Sequence, residues 1–221
     1  MEFWVKLWEN LPYFLEILLP AAWVTIRVTA IAFLLAVAAG LLLAVLQTSP
    51  LPPLRVLVRT YVEVIRGTPV LAQLFILYFG LAELGIRFTP FQAATLGLGL
   101  NGAAYLAEVF RAGIQSIHAG QMEAALAIGM APLSAMRYVV VPQALRVVVP
   151  PVTNYSIALL KDTAIVSAVA APEIMFRARN LVMETYLSMQ IYLLVAVMYL
   201  AMSLVLARMA ARVERRFAVA R

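Results

Sequence analysis

The chain has 221 residues, 64% hydrophobic and only 13% charged, where a soluble globular domain averages about 45–50% apolar and about 25% charged. That composition excludes a water-soluble globular domain and a disordered chain alike. The absence of cysteine and the single histidine, His118, exclude a disulfide framework, a thiolate nucleophile and a Cys- or His-rich metal centre, so no metal is expected. The net charge of +6 does not point to nucleic acid, because the basic residues flank apolar runs instead of forming a stripe interleaved with aromatics. In a polytopic membrane protein such residues mark the cytoplasmic loops.

Residues 1–19 mix aromatics (Phe3, Trp4, Trp8, Tyr13) with carboxylates (Glu2, Glu9, Glu16). This pattern predicts an amphipathic helix lying in the membrane interface, and its acidic start is not that of a signal peptide. A membrane helix needs about 20 mainly apolar residues. Five stretches meet that length: 20–46, 54–84, 91–111, 142–171 and 186–207. The expected fold is therefore an all-α polytopic membrane protein with five transmembrane helices. It forms one transmembrane domain over 1–221, with no linker and no internal repeat. The second and fourth stretches carry charges and helix breakers part-way along. Broken helices at membrane depth are tolerated only against protein or a water-filled cavity.

With five spans the termini lie on opposite sides. One side holds ten basic residues: Arg55, Arg59, Arg111, Arg137, Arg146, Arg208, Arg212, Arg215, Arg216 and Arg221. The other holds four, Lys6, Arg87, Arg177 and Arg179. The imbalance predicts the N-terminus outside, the C-terminus in the cytoplasm, and residues 114–141 as a long cytoplasmic loop.

That loop contains the most specific segment, Glu123 to Pro142, EAALAIGMAPLSAMRYVVVP. It reads as a short helix, a break at Gly129 suited to a left-handed cap, and a second helix opened by Pro132. The outcome is an apolar knob able to dock a soluble partner. The segment resembles the cytoplasmic loop of ABC importer permeases, E-A-A, three residues, G, nine residues, I-x-L-P. Here Glu123, Ala124, Ala125 and Gly129 are followed by Val139-Val140-Val141-Pro142, with Val at the two aliphatic positions. The flanking runs YVEVIRGTPVLAQLFILYFG, AYLAEVFRAGIQSIHAGQ, PQALRVVVPPVTN and LLKDTAIVSAVAAPE resemble the polar-amino-acid branch (His, Glu, Gln, Arg and opine type). The resemblance implies a type I importer permease core in the bacterial cytoplasmic (inner) membrane. It implies a second permease subunit, identical or homologous, two cytoplasmic ATPase subunits, and an extracytoplasmic amino-acid-binding protein as partners. Glu123, Ala124, Ala125, Gly129 and Pro132 would couple to the ATPases. The chain has no G-x-x-x-x-G-K-[ST] phosphate loop, so ATP belongs to a separate subunit and this chain is expected to hold no cofactor and to be no enzyme.

Charge at the bilayer centre costs at least about 2.5–3.5 kcal/mol on insertion scales unless it is paired or hydrated. Glu63 and Arg66 are three apart and are expected to pair, as are Glu108 and Arg111. Lys161 and Asp162 are adjacent, point about 100° apart on a helix, and need other partners. An amino acid substrate needs an acceptor for its ammonium, met by Asp162 or Glu108. It needs donors for its carboxylate, met by Lys161, the Thr163 hydroxyl, or N–H groups freed at the Gly67-Thr68-Pro69 break. Asn101 and Asn154 are further candidates for the pathway, or alternatively helix–helix contacts. His118 is expected to be a solvated loop residue, and Gly97, Gly99 and Gly102 a close-packing face. The alternative function is an ion-gradient-coupled secondary amino acid carrier, disfavoured by the missing repeat. An intramembrane protease is excluded because the only histidine lies in a loop.

Overall fold

The computed structural model describes residues 2–217, so Met1 and Arg221 of the expectations above lie outside the described residues. Helix α1 (Glu2–Leu46) runs unbroken through Pro12 and Pro20. The expected separation into an interfacial helix 1–19 and a span 20–46 is therefore corrected: the two are one helix. Each proline costs one i→i−4 hydrogen bond. Offsetting this loss, Phe14, Leu18 and Ala21 around the prolines are buried against Ile174, Ala178 and Ile191.

Helix α2 (Pro52–Gly67) opens on two prolines at positions where an N–H would have no helical partner. It ends because Thr68 precedes Pro69: the proline ring disfavours helical backbone at the residue before it, and Thr68 sits at φ −117, ψ 146. The chain turns by 108° there into α3 (Val70–Glu83), whose second half widens into a π turn at Ile76–Gly80. The stretch 54–84 is thus two helices at a sharp angle, broken where the sequence places its breakers.

Helix α4 (Pro90–Gln115) starts with a reciprocal capping box between Thr89 and Gln92. It is the central element, packed against α1 along most of its length. Small residues make this close approach possible. A Cβ on Gly40 of α1 would lie 3.0 Å from the Ala103 carbonyl oxygen and 3.2 Å from the Ala107 nitrogen. Gly97, Gly99 and Gly102 of α4 are packed against Leu74, Leu35 and Ala36 in the same way. Arg27, the only charge in the membrane part of α1, lies over the Phe91 ring at the start of α4, 5.1 Å from its centroid, a cation–π contact.

Helix α5 (Ala119–Ala127) lies in the loop, followed by the short α6 (Pro132–Ala135). A π turn at Met136–Val140 joins α6 to α7 (Val141–Asp162). Pro142 has no N–H to give the Tyr138 carbonyl, consistent with a widened ladder there. A 3₁₀ segment, Thr163–Val169, continues α7, so helical backbone runs without interruption over 132–169. Helix α8 (Ile174–Thr185) and α9 (Ser188–Phe217) complete the chain. Two helices, α1 and α9, are long and apolar enough to cross a membrane by themselves, or three if α2 and α3 count as one bent span. The expected spans in α4 and α7 do not meet that measure. Helix α4 is largely buried and carries glycine, asparagine and glutamine, while Pro142, Pro150, Pro151, Gln143, Arg146, Asn154, Lys161 and Asp162 lower the apolarity of α7.

Candidate functional site

The break between α2 and α3 is closed by a residue not singled out from sequence, Gln73. Its amide nitrogen lies 2.7 Å from the Ile65 carbonyl, 2.8 Å from the Thr68 hydroxyl and 3.1 Å from the Thr68 carbonyl. An amide carries two protons, so these three acceptors share two donors. The Gln73 carbonyl oxygen accepts from Asn101 of α4 at 3.1 Å. Thr68 and Asn101, two expected pathway residues, are thus held together through Gln73. The Thr68 hydroxyl also donates to the Val64 carbonyl, 2.9 Å away. One side chain offsets carbonyls left open at the end of α2 and fixes α4 beside them.

Glu108 is the hub of a second cluster. It takes the Arg111 guanidinium at 2.6 Å and accepts from the Gln47 amide at 3.2 Å. It also faces Arg66 of α2 at 4.0 Å. The expected Glu63–Arg66 pair does not form: Glu63 is exposed, and Arg66 turns to Glu108 on the helix packed against α2. A half-buried carboxylate offers a less screened partner than an exposed one on the same helix. With three partners, Glu108 has little capacity left for a ligand.

On α7, Asn154 and Lys161 are seven apart, as are Tyr155 and Asp162, so each pair lies on one helical face. Asn154, Lys161 and Asp162 are exposed, and neither charge makes an ion pair among the described residues. Tyr155 stacks on Tyr105 of α4, centroids 5.1 Å apart and planes 22° apart. Tyr105 is 44% exposed and stands one turn from Asn101. The surface therefore runs from Asn101 over an aromatic pair to Asp162. Thr163 does not join it: the residue is fully buried and its hydroxyl donates to the Leu160 carbonyl at 2.7 Å.

In the loop, the His118 ring nitrogen Nδ1 accepts from the Gly120 N–H and caps α5, so this histidine does more than face solvent. Helix α5 ends in a Schellman motif: Gly129 N–H donates to the Leu126 carbonyl (2.9 Å) and Met130 N–H to the Ala125 carbonyl (3.1 Å). Gly129 sits at φ +85, where a β-carbon is strained. Ala131 and Pro132 then start α6. The turn leaves Ile128 81%, Leu133 80% and Leu126 42% exposed. Glu123 and Ala124 are exposed, while Ala125 is buried. Gln143 of α7 ties the loop down through Gln121, 3.0 Å away.

Sequence reading also missed Glu173. Its carboxylate is fully buried, accepts from the N–H groups of Met175 (2.9 Å) and Phe176 (2.7 Å), and receives the Tyr199 hydroxyl at 2.7 Å. Glutamate is not among the usual N-cap residues, and its Tyr199 partner, on another helix, has no sequence signature.

Residues 36–219 match the model of the binding-protein-dependent transport system inner membrane component family. The chain is 32% identical to the glutamine transport system permease protein GlnP of Escherichia coli (strain K12) over 222 aligned positions, 99% of this chain and 100% of that one. It is 38% identical to the probable glutamine ABC transporter permease protein GlnM of Bacillus subtilis (strain 168) over 165 residues, 75% of this chain and 76% of the relative. Among solved structures, an amino acid ABC transporter crystallised with histidines superposes with a TM-score of 0.86 at 35% identity, covering 96% of this chain and 97% of that one. An inward-facing MetNI methionine ABC transporter superposes with a TM-score of 0.76 at 21% identity, over 93% of this chain and 98% of that one, which supports the fold alone.

The chain belongs to the family of inner membrane components of binding-protein-dependent transport systems. It is a transport permease of the inner membrane and not an enzyme, and its family is not one of ion-gradient-coupled carriers.

Proposed function

We propose that this subunit forms the translocation path of a type I ABC importer for amino acids, together with a second permease subunit, identical or homologous. In this reading residues 1–221 make one permease domain with five membrane crossings, the N-terminus outside and the C-terminus in the cytoplasm. A binding protein delivers the amino acid from outside. Two cytoplasmic ATPases, which carry the ATP, dock on the loop around Glu123, Ala124, Ala125, Gly129 and Pro132. The observation that carries the reading is the apolar tip of Leu126, Ile128 and Leu133, displayed on a helix closed by Gly129. A soluble partner buries such a tip at about 25 cal/mol per Å². The relatives named for glutamine or amino acid transport support the substrate class.

ATP-driven approach of the ATPases would move the two loops, and through 132–169 the α7 face, so that the path opens alternately to each side. The permease contributes a coupling free energy between nucleotide site and path. Asp162 receives the substrate ammonium, Lys161 its carboxylate, and the Tyr105–Tyr155 pair offers an aromatic wall that favours a cation at its face. Asn154 lies on the same side. Asn101 and Thr68 shape the path through Gln73. Glu108, Arg111 and Arg66 brace α2 against α4, and Thr163 serves the α7 backbone. Gly129→Pro tests the coupling role, because proline locks φ near −65° where the loop requires +85. In vesicles with binding protein and ATPase, the variant should insert normally while uptake per ATP hydrolysed falls at least about tenfold. Normal uptake would remove the loop from the coupling path.

A further inference from the structure

A cavity of about 390 Å³ lies between α7 and the last turns of α9, lined by Arg146, Pro150, Ala211, Glu214, Arg215 and Phe217. Nothing in the transport scheme uses it. Neither Arg146 nor Arg215 makes an ion pair among the described residues. The single carboxylate among the described lining residues, Glu214, is already engaged by the Thr153 hydroxyl of α7. Arg208, Arg212 and Arg216 on the same stretch of α9 add to the positive field. The remaining lining residues, Pro150, Ala211 and Phe217, are apolar, a wall suited to hydrocarbon.

We propose that this cavity binds the phosphate headgroup of an anionic phospholipid of the cytoplasmic leaflet, with the start of the acyl chains lying against Pro150, Ala211 and Phe217; the leaflet assignment rests on the orientation proposed above. Guanidinium groups match phosphate oxygens with paired hydrogen bonds. Basic pockets between membrane helices on the cytoplasmic side are the usual setting for headgroups. The cavity contains one phosphate-reading end and one apolar end, and a free phosphate would use only the first. Bound lipid would join α7 to α9 where, among the described residues, only the Thr153–Glu214 contact bridges them by hydrogen bonding.

The test uses the full chain purified in a neutral detergent, titrated with phosphatidylglycerol, phosphatidylcholine or inorganic phosphate, and read by native mass spectrometry and melting temperature. Phosphatidylglycerol should bind at one per subunit and raise the melting temperature, and phosphatidylcholine should not. Arg146→Gln with Arg215→Gln should weaken lipid retention at least about tenfold, while Arg146→Lys with Arg215→Lys should retain most of it. Arg55→Gln, a basic residue outside the cavity, should leave it unchanged. Equal binding by phosphatidylcholine, or full retention in the double glutamine variant, would overturn the site. Inorganic phosphate displacing the lipid's effect at millimolar concentration would make it a soluble-anion site and overturn the lipid. Should the glutamine variant melt low without lipid, the lysine variant decides: retained phosphatidylglycerol selectivity at the wild-type melting temperature sustains the site, and binding of phosphatidylcholine as well, or complete loss of lipid at the wild-type melting temperature, overturns it. Micelle binding is independent of orientation, so a reversed topology would overturn the leaflet and leave the lipid site standing.

Discussion

Replacing Glu173 by Gln keeps the shape and exchanges one oxygen for an NH₂ group. In the native site Oε1 accepts from Phe176 N–H at 2.7 Å, and Oε2 from Met175 N–H at 2.9 Å and the Tyr199 hydroxyl at 2.7 Å. An amide has one acceptor oxygen. Whichever way it is turned, one buried backbone N–H faces another donor and loses its acceptor. That costs about 1–3 kcal/mol. Tyr199 can rotate its hydroxyl to accept from the amide, so the loss falls on the backbone group. Glu173→Ala strands all three donors and opens a void, for about 3–5 kcal/mol. Tyr199→Phe removes one bond, for about 1 kcal/mol. Melting of the purified proteins in one detergent should therefore rank wild type, Tyr199→Phe, Glu173→Gln and Glu173→Ala in descending order. The glutamine variant should fall by at least about 2 °C. Glu173→Gln melting with wild type would refute the argument that this carboxylate is the acceptor on which the start of α8 depends.

Asp162→Asn should lower uptake at least about tenfold, roughly 1.4 kcal/mol, with the melting temperature unchanged; matched losses of both, or normal uptake, would remove Asp162 from the path. A cysteine at Val213 should be blocked only by reagents that enter the cytoplasm, and one at Gly85 by impermeant reagents from outside; reversed labelling would overturn the orientation. Gly40→Val should push α1 from α4, because its Cβ already meets the Ala103 and Ala107 backbone at 3.0 and 3.2 Å. A loss of about 1–3 kcal/mol is expected, measured as detergent melting, and an unchanged midpoint would show that the two helices separate freely.

Features carried by short-range rules were legible in the sequence. The break at Thr68-Pro69 and the positive φ at Gly129 follow from single-residue backbone constraints, and the structure has both. The partner of Arg66 was not legible, because the i,i+3 rule ranks only neighbours on one helix and α4 supplies the better carboxylate. The unbroken α1 was hidden for the same reason: Pro12 and Pro20 weaken the helix locally, and only burial against α8 and α9 outweighs them. Of the expected pathway residues, Asn154, Lys161 and Asp162 share the accessible side of α7, whereas Thr163 is one position on and turned inward. A sequence shows the adjacency and not the rotation. Gln73, Tyr105 and Tyr155 act through partners on other helices, which no spacing within one segment reveals.

The uninterrupted helical backbone over 132–169 has a mechanical consequence. At 1.5 Å per residue the 21 α-helical steps from Val141 to Asp162 span about 32 Å, a helical rod with its base in the Gly129–Pro132 turn and Asp162 near its far end. Such a rod carries a push at the base toward the far end, with a softer point at mid-length where Pro150 and Pro151 lack N–H groups for the ladder. The wide turn at Met136–Val140 is a second soft point. With its looser i→i+5 ladder, it can gain or lose a fraction of a residue of register. Under the proposed coupling, push beyond what the packing of α7 accepts would be absorbed there as rotation, so the segment would set a stroke limit as well as transmit one.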